Sequence, residues 1–337
     1  MSKKQTVVKD RAEGRVERSA KATPNLKRKL SVGLIALGVL TLAVFPLTAA
    51  SNPYYEALFG KAMIWGILAG SLGFLVGQSG LVSFGHAAWY GFGAYAGGLI
   101  NIYITSDILA SLMLVAVLTT FASVVCGLVL TRLSGISFAI LTLALGQVVY
   151  SAVFVFSRFT GGEDGLNGVP LPTLLGVEIG VGYGFYLLIV GVLVLTLIIL
   201  YVLAATPMGS TWKAIRENEL RSRFIGIRVY MEKLVIYALT SVLASMAGVL
   251  YVAFNGAVSP ELLQWQQSGE VLVAAITGGT GTIVGPALGG AAVYLLHQTI
   301  SASFRDWPIV LGVGFILVII LLPQGIGGLM SRRERKS

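Results

Sequence analysis

The sequence predicts an all-α polytopic membrane protein with about nine transmembrane helices, in a range of eight to ten, and with glycine-rich broken or re-entrant segments. Of its 337 residues, 55% are hydrophobic and only 12% are charged, whereas a soluble domain carries about 25% charged residues. Several apolar stretches have the length of about 20 residues that crosses a hydrocarbon core about 30 Å thick. These observations exclude a soluble enzyme, a disordered regulator and a fibrous protein.

The predicted spans are the apolar stretches between charged and turn residues. They lie near residues 31–50, 57–77, 84–104, 108–131, 135–157, 185–205, 233–255, 269–284, 285–302 and 308–323. The first is longer than the h-region of about 7–15 residues in a signal peptide, so we interpret it as an uncleaved span. The pair 269–284 and 285–302 is short and rich in glycine, and it must either cross the membrane twice or re-enter.

Positive charge predicts the orientation of these spans. Twenty of the 24 Lys and Arg residues lie in three clusters, within residues 1–30, 213–233 and 332–336. Basic segments next to spans stay in the cytoplasm, so we expect both termini there. The predicted domains are a basic cytoplasmic tail (1–30), a transmembrane domain (31–330) that contains a cytoplasmic loop (206–232), and a second basic tail (331–337). No aromatic residues are interleaved with the N-terminal charges, which argues against nucleic-acid binding.

Small residues indicate how the spans pack. Pairs such as Gly93/Gly97 and Gly281/Gly285 stand four residues apart, and small faces let helices approach closely in lipid. Dense glycine also permits broken helices beside protein or water, so these stretches either pack helices or line a solute pathway. His86, which follows Gly85, lies either beside that pathway or in a structural hydrogen bond between helices.

Motifs of enzyme chemistry are absent from the sequence. It contains no phosphate-binding loop, no H-E-x-x-H and no Ser/His/Asp set. The single cysteine, Cys126, excludes an intramolecular disulfide and a cysteine metal cluster. We therefore expect no catalytic residue, no metal and no cofactor bound by this chain, and a membrane-embedded enzyme would need a polar cluster that the predicted spans lack.

Acidic residues are almost missing from the predicted spans, and Glu270, at the edge of one, is the nearest candidate. Proton-driven carriers place ionisable groups inside the membrane, so this scarcity argues against one. Sodium sites, however, can be built from backbone carbonyls. An ion-coupled secondary transporter of small solutes therefore stays open as an alternative.

The cytoplasmic loop contains a predicted amphipathic helix. Ser210 can cap its start and Gly226 can end it, and four apolar residues fall roughly on one side: Trp212, Ile215, Leu220 and Phe224. Such a helix either docks into a groove of another protein or lies on the lipid surface, held by Arg and Lys near anionic head groups.

This loop resembles the coupling loop of ATP-binding-cassette (ABC) importer permeases, in the version of the branched-chain amino-acid (LivM-type) family. Further stretches match that family in the same order, at residues 80–95, 160–166, 214–219, 247–251, 258–260, 278–289 and 322–325. Together they extend over most of the chain, from about residue 60 to 328. The first sixty residues carry no motif of the resemblance.

The resemblance implies a permease subunit of an ATP-driven, binding-protein-dependent importer in the bacterial inner membrane. Its expected partners are two cytoplasmic ATPase chains that bind the ATP, a second permease subunit, a periplasmic or extracellular solute-binding protein, and membrane lipid. The expected solute is a branched-chain or related amino acid. Importers of urea, amides or aromatic acids are the alternative within the same family.

The resemblance also implies two sets of functional residues. The residues expected in the groove of an ATPase are Ala214, Ile215, Arg216, Glu217, Glu219 and Gly226. The residues expected along the substrate pathway are Gly85, His86, Gly91, Gly93, Gly278, Gly279 and Gly281.

Overall fold

The computed structural model describes residues 53–301 and residue 312. Eleven α-helices follow one another in the described chain. They are α1 (Pro53–Ser79), α2 (His86–Tyr103), α3 (Ile108–Leu130), α4 (Gly135–Val155), α5 (Ser157–Thr160), α6 (Tyr183–Ala205), α7 (Pro207–Glu217), α8 (Glu219–Phe224), α9 (Val229–Asn255), α10 (Trp265–Gly278) and α11 (Val284–Ser301). Two 3₁₀ turns lie at Gly162–Asp164 and Pro260–Leu263, and four strands are β1 (Leu166–Asn167), β2 (Thr173–Leu174), β3 (Val177–Glu178) and β4 (Ala257–Val258).

Five of these helices, α1, α3, α4, α6 and α9, are long and apolar enough to cross a membrane. Their ends lie within four residues of the predicted spans, and α2 corresponds to the span expected at 84–104. The spans expected at 31–50 and 308–323 and both basic tails lie outside the described residues. The predicted count of nine is therefore not confirmed, whereas the helical multi-span architecture is.

Helices α1 and α9 occupy the centre of the described bundle. α1 packs against α11, α9 and α6, while α9 packs mainly against α2 and α3. The central helices are also the most buried. In an 18-residue apolar stretch of each span, the buried share is 83% in α1 and 72% in α9, but only 28% in α3 and 22% in α4. The outer faces of α3 and α4 are therefore available to lipid or to another chain.

Helices α2 and α9 run in the same direction and touch through their backbones. A Cβ on Gly93 would lie 2.1 Å from the carbonyl oxygen of Ser245, and Gly97 faces Val249. Only a residue without a side chain allows this approach. Since position 93 is level with position 245, the start of α2 at His86 lies about 14 Å along α9 from its first residue, Val229. Helix α2 thus begins about a third of the way along α9 and not level with its end.

The predicted pair of short glycine-rich segments corresponds to α10 and α11. The 14 residues of α10 extend about 21 Å, which is less than a hydrocarbon core of about 30 Å. The helices are separated at residues 279–283, where Gly279 has φ +98. A Cβ on Gly278 would lie 2.0 Å from the carbonyl oxygen of Gly285, so the two helices meet in direct backbone contact.

The two ends of the bundle differ in character. We call the end with α7, α8 and the α3–α4 turn (131–134) the basic end, and the end with the four strands the strand end. There β1 pairs antiparallel with β4, and β2 with β3. Asp107 caps α3 by accepting hydrogen bonds from the amides of Leu109 and Ala110, and its carboxylate also accepts one from Leu175 at 2.6 Å. The donor amides, first that of Ala110, lower the pKa of Asp107.

Candidate functional site

Helix α7 begins the connection between the spans α6 and α9. Thr206 precedes Pro207, which occupies the first turn, where proline is favoured because its missing N–H needs no partner. The helix therefore starts three residues before the predicted cap, Ser210. Trp212 is fully buried and meets the ring of Phe74 of α1 edge to face, with ring centroids 5.9 Å apart. The apolar face of α7 is thus covered by this chain itself.

The connection is two helices and not the single helix that the sequence predicts. Asn218 has an extended conformation (φ −159, ψ 103), and its side-chain oxygen accepts a hydrogen bond from the amide of Arg221 at 2.8 Å. Asparagine competes with the backbone inside helices and favours N-caps, so it ends α7 and starts α8. Gly226 ends α8 as predicted, with φ +89 and hydrogen bonds from the amides of 226 and 227 to Arg223 and Ser222, a Schellman motif.

Arg216 fastens α7 to the end of α1. Its guanidinium donates a hydrogen bond to the carbonyl oxygen of Gly77 at 2.5 Å, and its stem passes beneath Gly80. The last carbonyls of a helix lack partners within the helix, and a cation there also interacts favourably with the helix dipole. Arg216 supplies a hydrogen-bond donor and a positive charge to the end of α1, which has no basic residue in its own last turn.

Glu219 fastens α8 to two other helices. Its carboxylate accepts hydrogen bonds from Lys233 Nζ at 2.5 Å and from Ser134 Oγ at 2.7 Å, and Arg223 binds its other oxygen at 2.6 Å. The Lys233 side chain is only 3% exposed. Burial by itself raises the pKa of Glu219, but the hydrogen bonds from Lys233, Ser134 and Arg223 and the charge of Lys233 together lower it. The carboxylate therefore joins α8 to the α3–α4 turn and to α9.

The apolar residues of the connection face two directions, which corrects the predicted single apolar side. Trp212 and Ile215 point into the bundle, whereas Leu220, Phe224 and Ile225 are 64%, 82% and 70% exposed. Of the residues expected in an ATPase groove, Glu217 and Gly226 are exposed and Ala214 is half-buried. The side chain of Ile215, by contrast, is covered by this chain itself.

The residues expected along the substrate pathway lie in helix contacts and at the α10–α11 break. A Cβ would clash with Thr142 at Gly85, with Leu263 at Gly91, with Ser245 at Gly93 and with Gly285 at Gly278. Gly279 and Gly281 lie in the break, and Gly281 has open space around it. These contacts give most of the set a packing role, and their part in a pathway stays a prediction.

His86 is fully buried at the first position of α2. Its Nε2 lies 2.9 Å from Ser71 Oγ of α1, and that hydroxyl donates to the carbonyl oxygen of Leu68. Ser71 Oγ therefore accepts the hydrogen bond, which places the imidazole proton on Nε2. This geometry matches the structural hydrogen bond between helices that the sequence left as one of two alternatives.

Sequence reasoning missed Ser134 and Lys233 as partners of Glu219. They stand 85 and 14 residues away from it, so no local periodicity relates them to α8. The helix break at Asn218, however, could have been predicted, because an asparagine inside a short polar segment favours the N-cap of a helix.

These features define a multi-pass membrane protein with a helical connection at its basic end. The family model described as "Branched-chain amino acid transport system / permease component" matches residues 54–322. The chain belongs to this family and is a permease subunit, which confirms the resemblance of the sequence motifs.

Named relatives support the same assignment. The chain is 30% identical to the high-affinity branched-chain amino acid transport system permease protein LivM of Salmonella typhimurium over 288 residues, 78% of this chain and 68% of the relative. It is also 30% identical to the LivM protein of Escherichia coli, over 89% of this chain and 75% of the relative. LivH of Escherichia coli is 23% identical over 82% and 92% of the two chains. No solved structure matches this chain significantly.

Proposed function

We propose that this permease imports branched-chain or related amino acids as part of an ATP-driven, binding-protein-dependent complex. In this proposal the chain assembles with a second permease subunit and two ATPase chains, and a solute-binding protein delivers the amino acid at the strand end. The basic end and both termini then face the cytoplasm. The names of the LivM and LivH relatives support the solute class, and the charge clusters support the orientation.

The observation that carries the coupling role is the surface of α8. Leu220, Phe224 and Ile225 are exposed. By contrast, Trp212 and Ile215, a few residues earlier in the chain, are buried against the bundle. A cluster of large exposed apolar side chains marks a contact surface. The side of α8 next to this surface is tied to the bundle through Glu219. A force on the exposed surface would therefore reach α9 and the α3–α4 turn.

The coupling role is tested with two variants at the basic end. We expect Phe224→Asp to lower ATPase co-purification and ATP-driven leucine uptake at least tenfold, because a carboxylate cannot fill an apolar groove without a partner. We expect Glu217→Lys to leave the chain in the membrane but to abolish uptake. Glu178→Lys makes the same charge change on the exposed strand β3, and we expect it to retain the ATPases.

The same variants separate coupling from adsorption to lipid. If the connection formed by α7 and α8 only lay on anionic lipid, Glu217→Lys would strengthen that attraction and uptake would be unchanged. Uptake and ATPase retention at the unmodified level in both Phe224→Asp and Glu217→Lys would contradict the proposal.

A further inference from the structure

The segment between α9 and α10 turns back alongside the candidate span α9. After α9 ends at the strand end, the 3₁₀ turn packs Leu263 against the backbone of Gly91 on α2. Four residues into α10, Ser268 Oγ accepts a hydrogen bond from the amide of Ala87 at 2.9 Å. Through the alignment of α2 with α9, these contacts lie about 20 Å and 15 Å along α9 from Val229. Because α9 is long and apolar enough to cross a membrane, we place the first turns of α10 at bilayer depth.

Two polar side chains in these turns, beside the exposed Trp265, are not fully covered by the described chain. Val271, Leu272 and Ala274 face the bundle and are buried, while Gln266 is exposed and Glu270 is half-buried. The two polar residues are four positions apart and share a helix face. The uncovered face of α3 has a different character, because its exposed side chains are apolar, as at Met113, Val117 and Phe121.

Glu270 has no partner cation among residues 53–301, where the ion pairs both involve Glu219. A carboxylate that faces lipid inside the hydrocarbon core is unfavourable. Charged side chains at this depth therefore face water or protein and mark solute pathways. The apolar face of α3 suits lipid, but the Gln266–Glu270 face does not.

We propose that Gln266 and Glu270 line the solute path of the assembled permease, where the Glu270 carboxylate binds the ammonium group of an amino acid in transit. The inference rests on the proposed function for the identity of the solute. Amide and carboxylate groups together can bind a zwitterion, since glutamine donates to a carboxylate and glutamate accepts from an ammonium group. The glycines expected along the pathway then hold α2, α9, α10 and α11 together behind this face.

Water access to the face is measured first, by cysteine labelling. The chain has a single cysteine, Cys126, so Cys126→Ala gives a cysteine-free background. In the complex reconstituted in lipid vesicles, we expect Gln266→Cys and Glu270→Cys to react with a hydrophilic, positively charged methanethiosulfonate at least tenfold faster than Val117→Cys. Val117 is the matched control, because it is 69% exposed on an apolar face in the middle of α3. Equal rates at the three positions would overturn the proposal.

The binding of the ammonium group is measured with charge variants. We expect Glu270→Gln to lower leucine uptake at least tenfold while the ATPases and the second permease still co-purify, and Glu270→Asp to retain more uptake than Glu270→Gln. Wild-type uptake in Glu270→Gln would overturn the role of the carboxylate. Loss of the second permease from Glu270→Gln would also overturn it, because Glu270 would then pair with a cation of that subunit.

These two measurements separate this inference from the proposed function. The labelling rates report whether the face is wet, whichever solute the complex carries. A wild-type complex that lacks ATPase chains would contradict the proposed function, while fast labelling at Gln266→Cys and Glu270→Cys would still support a polar path along α10.

Discussion

Glu219 joins the short helix α8 to two membrane helices, and its partners differ in burial. Lys233 is almost completely buried, whereas Arg223 is 58% exposed. Exposed ion pairs contribute little to stability, about 0.3–0.5 kcal/mol for neighbours four apart on a helix. Removing one member of a buried pair is worse, because the other charge is left without a partner. The two interactions of the same carboxylate should therefore contribute unequally.

We predict that Glu219→Gln destabilises the chain by about 1–2 kcal/mol, because Lys233 stays buried beside a neutral amide. Arg223→Gln removes the exposed interaction and is the matched control, with an expected effect below about 0.5 kcal/mol. The measurement is the apparent melting temperature of the purified complex in detergent. Equal melting temperatures for the two variants would contradict this interpretation of the ion pairs.

Acid provides a second readout of the same carboxylate. The pKa of Glu219 lies below its ordinary value of 4.5 in the folded chain. Its contribution to stability is therefore complete above the ordinary pKa and is lost as the pH falls through the lowered one. The difference in melting temperature between the native chain and Glu219→Gln should hold between pH 7 and pH 5 and narrow below that range. A constant difference down to strongly acidic pH would argue against a carboxylate origin.

Some features of the α7–α8 connection could be predicted from the sequence and others could not. The end of α8 at Gly226 was predictable because a glycine with positive φ commonly ends a helix. The separate directions of Trp212 and Phe224 were not, because an asparagine indicates a helix break but not the direction that α8 takes after it. The ion pair with Lys233 depends on the packing of distant helices.

At the scale of helices, the α2–α9 contact depends on an absent side chain. A Cβ on Gly93 would meet a backbone oxygen, which cannot move aside as a flexible side chain could. The glycine spacing predicted close packing between helices, and α2 and α9 pack in this way at Gly93 and Gly97. Which helix lies opposite was not predictable, because six other helices separate Gly93 and Ser245 along the chain.

We predict that Gly93→Ala lowers the yield of folded complex severely, because α2 and α9 must separate to accept the methyl group. Gly191→Ala is the matched control. Gly191 lies inside α6 with open space around it, and alanine favours a helix over glycine by about 1 kcal/mol. The readout is the monodisperse fraction in size-exclusion chromatography after extraction in mild detergent. Equal yields for the two variants would contradict the close contact.

At the scale of the whole molecule, hydropathy predicted the helices better than their arrangement. The ends of the five candidate spans agree with the apolar stretches, because composition along the chain decides where a helix can cross lipid. The central positions of α1 and α9 did not follow from hydropathy. Their mean hydropathies, 1.6 and 1.9, are the lowest of the five spans, which is consistent with helices that contact protein more than lipid.

The orientation of the molecule can be measured on intact cells. In the Cys126→Ala background, we predict that a membrane-impermeant maleimide labels Glu163→Cys from outside, because this exposed residue lies at the strand end. Ser210→Cys, exposed on α7 at the basic end, should react only after the cells are permeabilised. Labelling of Ser210→Cys but not Glu163→Cys in intact cells would reverse the orientation.

The central position of α1 has a consequence for biosynthesis. Its closest packing partner, α11, begins at Val284, about 200 residues after the end of α1 at Ser79, and synthesis proceeds at about 5–20 residues per second. For roughly 10–40 seconds, the newly inserted α1 therefore waits without the neighbour that covers Gly66, Gly70 and Gly73. During that interval this groove of small residues is open to lipid or to the insertion machinery, and the bundle closes only when the α10–α11 hairpin arrives.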